Sequence, residues 1–141
     1  MSLSINNIKK FNGIYNGITT NTNNNVDTRW RDLRLVFDVL SNGYGQINGI
    51  GYSIFNRKKI PFLIFGTFDS NLKNIKINKV HVGNGFYNTI MYNISFDLET
   101  NKILLKSDNA VGEIQLDDNI FNNEKYYKIK NNNNKKFFGC I

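Results

Sequence analysis

Leu33-Arg34-Leu35-Val36-Phe37-Asp38-Val39 is followed by Ser41-Asn42-Gly43, and then by the run from Gln46 through Ile47, Gly49, Ile50, Gly51 and Tyr52 to Phe55. Asn56-Arg57-Lys58-Lys59 separates this run from Ile60-Pro61-Phe62-Leu63-Ile64-Phe65-Gly66-Thr67-Phe68. These are three apolar runs divided by two polar turns. In the first, Leu33, Leu35, Phe37 and Val39 share one parity, while Arg34, Val36, Asp38 and Leu40 share the other. Side chains of a strand point to opposite faces at every second residue, so this run reads as a strand with one wholly apolar face. Ser41-Asn42-Gly43 supplies residues that tolerate positive φ, as a tight hairpin requires. Glycine recurs at 43, 45, 49, 51 and 66. Inside strands it marks a bulge, a bend or a close backbone approach. The stretch describes a meander that is being curled.

The same cadence extends in both directions. Residues 1–10 read as a polar, flexible lead-in or short cap. A first strand spans residues 11–19, and a polar, mobile loop spans residues 21–28. Beyond Phe68, strands are expected at 72–82, 86–96, 103–106, 111–116 and 124–130, with turns between them. Residues 11–130 thus form one domain, and residues 131–141 a polar, basic tail with an apolar end. Eight or nine strands at this spacing, short connections and no convincing helix predict an all-β fold. The expected form is a single antiparallel up-and-down meander, closed or nearly closed into a barrel. Leu33, Leu35, Phe37, Val39, Phe62, Ile64, Ile90, Tyr92, Ile94 and Phe96 are its expected inward residues. Residues 62–68 are apolar on both faces, so their outer face calls for cover.

Phe11-Asn12-Gly13-Ile14-Tyr15 resembles the opening of calycin-type barrels, the lipocalin, fatty-acid-binding and avidin group, where Gly-x-aromatic starts the first strand. The resemblance covers most of the chain as a rhythm and five residues as a motif. Tyr15 stands where that group usually has Trp, and no helix-turn-helix lid separates the first two strands. The resemblance implies a ligand in the barrel mouth. Tyr15, Phe37, Tyr92 and His81 are the candidates to line such a cavity.

At 141 residues the chain can bury a substantial core without a disulfide or a metal. A single cysteine, Cys140, excludes an intramolecular disulfide and suggests a reducing compartment. The first residues lack the apolar core of a secretory signal, and no run is long enough to span a membrane as a helix. The expectation is a cytoplasmic protein. The net charge of +7 invites a nucleic-acid or anionic-membrane partner. However, 26 asparagines and abundant Lys, Ile, Phe and Tyr point to AT-rich codon usage as the main source of the basicity.

Candidate chemistry is sparse. His81 is the one histidine and reads as a rim residue. Cys140 has no nameable base beside it. Asp97-x-Glu99-x-Asn101 lacks the central glycine of a calcium loop, with Lys102 in its place, and reads as a hairpin turn. Gly43-x-Gly45 and Gly49-x-Gly51 precede no helix, so they are not phosphate loops. No cofactor and no metal is expected. Arg29-Trp30-Arg31 with Arg34 groups three of the four arginines: either these form an interface, since such residue types dominate hot spots, or Trp30 plugs one barrel end while the arginines point to water. Phe137 and Phe138 close the basic tail and form a candidate docking segment. The favoured expectation is a non-catalytic binding module acting through protein contact or self-association, with a homo-oligomer or protein partner. The alternatives are a carrier of a small apolar ligand or a small isomerase- or cyclase-type enzyme, each using the barrel cavity. Binding of nucleic acid or an anionic membrane through the tail ranks third.

Overall fold

The structure, a computed structural model, describes residues 2–83 and 88–118. Eight strands follow in order: β1 (Gly13–Asn21), β2 (Asp27–Val39), β3 (Gly45–Phe55), β4 (Lys58–Phe68), β5 (Ile75–His81), β6 (Asn88–Asp97), β7 (Lys102–Lys106) and β8 (Ala110–Asp118). Each pairs antiparallel with the next, and β8 returns to β1, so the sheet is a closed barrel. Closure removes the free strand edges on which sheets aggregate. Residues 84–87, the strand expected at 124–130, and Phe137, Phe138 and Cys140 lie outside the described residues.

The alternation in the sequence becomes the burial pattern. Leu33, Leu35, Phe37, Phe62, Ile64, Tyr92 and Ile94 are buried, and Ile90 and Phe96 pack against them. Val39 is the exception among the expected inward residues, at 37% exposure. Its cross-strand partner is Gly45, and the Phe68 ring occupies the space a side chain at Gly45 would take. The interior at that level is already filled, and the end of β2 runs past it.

Buried side chains cover one end of the barrel. A 3-10 turn, Ile8–Phe11, places Ile8 and Phe11 with no exposed surface. Phe11 packs on Phe96 at 4.9 Å between ring centroids, and Phe96 on Phe37 at 5.7 Å. Tyr15 donates its hydroxyl to the Phe11 carbonyl at 2.5 Å, and Asn12 Oδ1 accepts the Phe37 amide at 2.6 Å. Residues 8–10 of the expected lead-in therefore belong to the packed barrel.

The β1–β2 connection is shorter than the sequence suggests. β2 begins at Asp27, and Asn21 ties the turn, its side chain accepting the amides of Asn23 and Asn24. Farther along β2, the pairing registers with both neighbours shift around Asp32, which has φ of 53°. Its amide is held by Asn16 Oδ1 at 3.1 Å. This β-bulge inserts one residue and exchanges the two faces of the strand. Leu33 points inward after it, and Trp30 points inward before it.

Closure depends on close approach at the seam between β1 and β8. A Cβ at Gly17 would collide with the Glu113 carbonyl and the Ile114 backbone, and one at Gly112 with the Ile18 carbonyl. Both obstacles are backbone and cannot rotate away. Gly112→Ala is expected to cost roughly 2 kcal/mol or more of unfolding free energy, as measured by urea denaturation. An unchanged denaturation midpoint would show that the seam is not constrained in this way.

Candidate ligand site in the barrel interior

The other end of the barrel holds a cavity of about 180 Å³. A water occupies ~30 Å³ in the liquid, so this is room for about six waters or one small organic molecule. Its wall is assembled from six strands. Thr19 comes from β1, Thr28 from β2, Ser53 and Phe55 from β3, and Ile60 from β4. Lys79 and His81 come from β5, and Asn88, Ile90 and Tyr92 from β6.

Lys79 is the residue that distinguishes this wall. On β5, Ile75, Ile77, Lys79 and His81 share one parity, and all four are buried. The strand therefore carries its apolar face directly into an amine, and Lys79 is only 1% exposed. Its Nζ lies 4.1 Å from the Trp30 ring centroid and 4.5 Å from that of Phe62. Among the described residues no carboxylate pairs with it. Burial pushes the Lys79 amine down to about 7 from its ordinary 10.5. The two ring faces act in the opposite sense, because an aromatic quadrupole attracts the ammonium form.

Polar side chains share the cavity wall with Lys79. Ser53 Oγ and His81 Nε2 are 3.0 Å apart and buried, with the proton placed according to the imidazole tautomer. Burial, and secondarily the charge of Lys79, lower His81 to about 4, so its ring is neutral at pH 7. The Trp30 indole donates to Thr19 Oγ1 at 3.0 Å. Burial raises the Tyr92 hydroxyl, and a hydrogen bond with Thr19 acts against that rise. The result is an apolar pocket with a few convergent polar groups, the usual composition of a small-molecule site.

Of the residues singled out from sequence, Tyr92 and His81 line the cavity. Tyr15 and Phe37 do not: both belong to the packed end, where the aromatic plug fills the interior. His81 is 6% exposed and is an interior residue, not a rim residue. The Arg29-Trp30-Arg31 cluster does not form a single surface. Arg29 and Arg34 are exposed and Arg31 half-buried, but the bulge at Asp32 turns Trp30 into the barrel with no exposed surface. Phe137 and Phe138 lie outside the described residues. Sequence reasoning missed Lys79, although the parity of Ile75 and Ile77, extended by two steps, reaches both Lys79 and His81.

The segment from Asp97 to Asn101 is a hairpin turn, with Asp97 Oδ1 accepting the amides of Glu99 and Thr100. No cluster of metal-ligating side chains occurs among the described residues. No helix among them is long and apolar enough to cross a membrane. Comparisons with protein-family models, with curated proteins and with solved structures returned no match. The chemistry of the site has therefore to be read from its own residues.

Lys79 binds its proton less readily when folded than when unfolded. Between pH 7 and 10.5 the unfolded chain holds more protons, so this lysine makes stability rise with pH across that window. His81 acts with the same sign between pH 4 and 6.5. Tyr15 and Tyr92, both raised by burial, oppose the trend once the unfolded tyrosines ionise near pH 10. Lys79→Met is expected to unfold several degrees higher at pH 7 and to lose the rise between pH 7 and 10. Thermal unfolding followed by circular dichroism reads both. A variant whose midpoint climbs in parallel with the parent would overturn the assignment.

Proposed function

We propose that this barrel is a small-ligand-binding module. Its cavity takes one small molecule with an oxygen-bearing head directed at Lys79 and an apolar body against Ile60, Ile90 and Phe55. The observation that carries this reading is Lys79, a buried residue of the cavity lining with no carboxylate partner among the described residues. A buried ammonium is costly unless something compensates it, and a ligand oxygen would do so. Ser53 and Thr28 add hydroxyl groups at the wall, so the head would meet several hydrogen-bonding groups at once. The resemblance of residues 11–15 to calycin-type barrels agrees with a ligand held in the barrel mouth.

Trp30, the one tryptophan, lies against Lys79 and serves as the reporter. Benzoate, a single ring with one carboxylate, is expected to change Trp30 fluorescence saturably. Lys79→Met should weaken that binding about tenfold or more, as the loss of a charge-assisted hydrogen bond implies. A non-saturable response from benzoate, benzaldehyde and benzyl alcohol alike would sink the ligand reading.

A second reading, self-association through the outer wall, is favoured by one observation. Ile50 is 45% exposed, Phe65 47% and Met91 51%, on β3, β4 and β6, with Asn78 of β5 between Phe65 and Met91. This is the doubly apolar character of residues 62–68 in three dimensions, and a second copy of the chain would cover it. Sedimentation analysis is expected to show a dimer that Phe65→Lys dissociates. A monomer at high concentration removes this reading.

A further inference from the structure

We propose that Lys79 is a nucleophile that condenses with the carbonyl carbon of a small aldehyde in the cavity, forming an imine. The inference rests on the ligand reading above and names the ligand's chemical class. Three features of the site point to it. Lys79 is one of the residues that line the cavity, and it is almost wholly withdrawn from bulk solvent. Its neutral form, the only form that attacks a carbonyl, is well populated near neutral pH because burial disfavours the charge. The faces of Trp30 and Phe62 beside Nζ would stabilise the protonated imine as they do the ammonium, because both are cations over π-systems.

The step balances without redox. The Lys79 nitrogen lone pair forms a bond to the carbonyl carbon, and the C=O π pair moves to oxygen. That oxygen takes up a proton lost by nitrogen, giving a carbinolamine. The C–O bond then breaks and the oxygen leaves as water, with the second nitrogen proton balancing its charge. The product is C=N. His81 is two residues from Lys79 on the same face and hydrogen-bonded to Ser53. A neutral imidazole paired with a hydroxyl can pass a proton between nitrogen and oxygen, so these two are the positioned relay. No carboxylate competes for the amine among the described residues, which separates Lys79 from a lysine held in an ion pair.

The test uses the full chain with substoichiometric benzaldehyde and cyanoborohydride at pH 7, read by intact mass and peptide mapping. Reduction converts the imine to a stable secondary amine, so the chain gains one benzyl substituent in place of a hydrogen. The modification is expected at Lys79, exceeding the average of the other lysines by about tenfold or more, because ordinary lysines are almost wholly protonated at this pH. Lys79→Arg and Lys79→Met should each lose it, the second guarding against a misfolded arginine variant. Ser53→Ala should slow adduct formation without moving it to another lysine. Modification spread evenly over the lysines, or absent at Lys79, overturns the proposal. Saturable quenching of Trp30 by benzoate together with no adduct at Lys79 would overturn the imine alone. Absence of both would overturn the ligand reading with it.

Discussion

The closure of β8 onto β1 is the constraint on which the molecule depends. A sheet of eight strands left open would present two edges and would not enclose an interior. At the seam the chains approach so closely that Gly17 and Gly112 face backbone atoms of the opposite strand. Once closed, every strand has one face directed at a finite volume, and each inward side chain competes for it. That competition accounts for the burial of Ile8 and Phe11 at one end, while Val39, opposite Gly45 at the end of β2, stays 37% exposed.

The bulge at Asp32 is the second constraint and acts through the first. Without it, a single parity along β2 would send Arg29 and Arg31 inward with Leu33, placing two guanidinium groups in an apolar barrel. With it, the inward position falls to Trp30. The indole is then satisfied by Thr19 and supplies the ring face on which Lys79 rests. The lysine rests against neighbouring π-systems, and among the described residues no carboxylate pairs with it. Burying its amine costs stability, because the charged form loses its hydration.

The two ends of the barrel divide the labour. Aromatic stacking among Phe11, Phe37, Phe68 and Phe96 makes one end rigid. The polar residues Thr19, Ser53, Lys79 and His81 gather at the other, where the interior is open. A barrel of this strand number can be filled or can hold one small ligand. Here aromatic side chains gather in one half and a cavity lies in the other.

The sequence by itself determined the class of fold. Alternation at 33–39, 75–77 and 90–96, with turn residues between the runs, dictates strands, hairpins and an apolar inner face, because the side-chain period of a strand is two whatever surrounds it. Tyr92 and His81 were legible as candidates, and the double apolarity of 62–68 foretold the exposed Phe65. Only the tertiary structure decided the position of Trp30, because a single bulge reverses parity and no local residue pattern announces it. It alone decided that Tyr15 and Phe37 lie in the plug, since whether an inward side chain meets another or meets space depends on residues far apart in the chain. Lys79 stands between these cases. Its parity was written beside Ile75 and Ile77, but a charged residue on an apolar face reads as the end of that face until the barrel shows Trp30 and Phe62 ready to receive it.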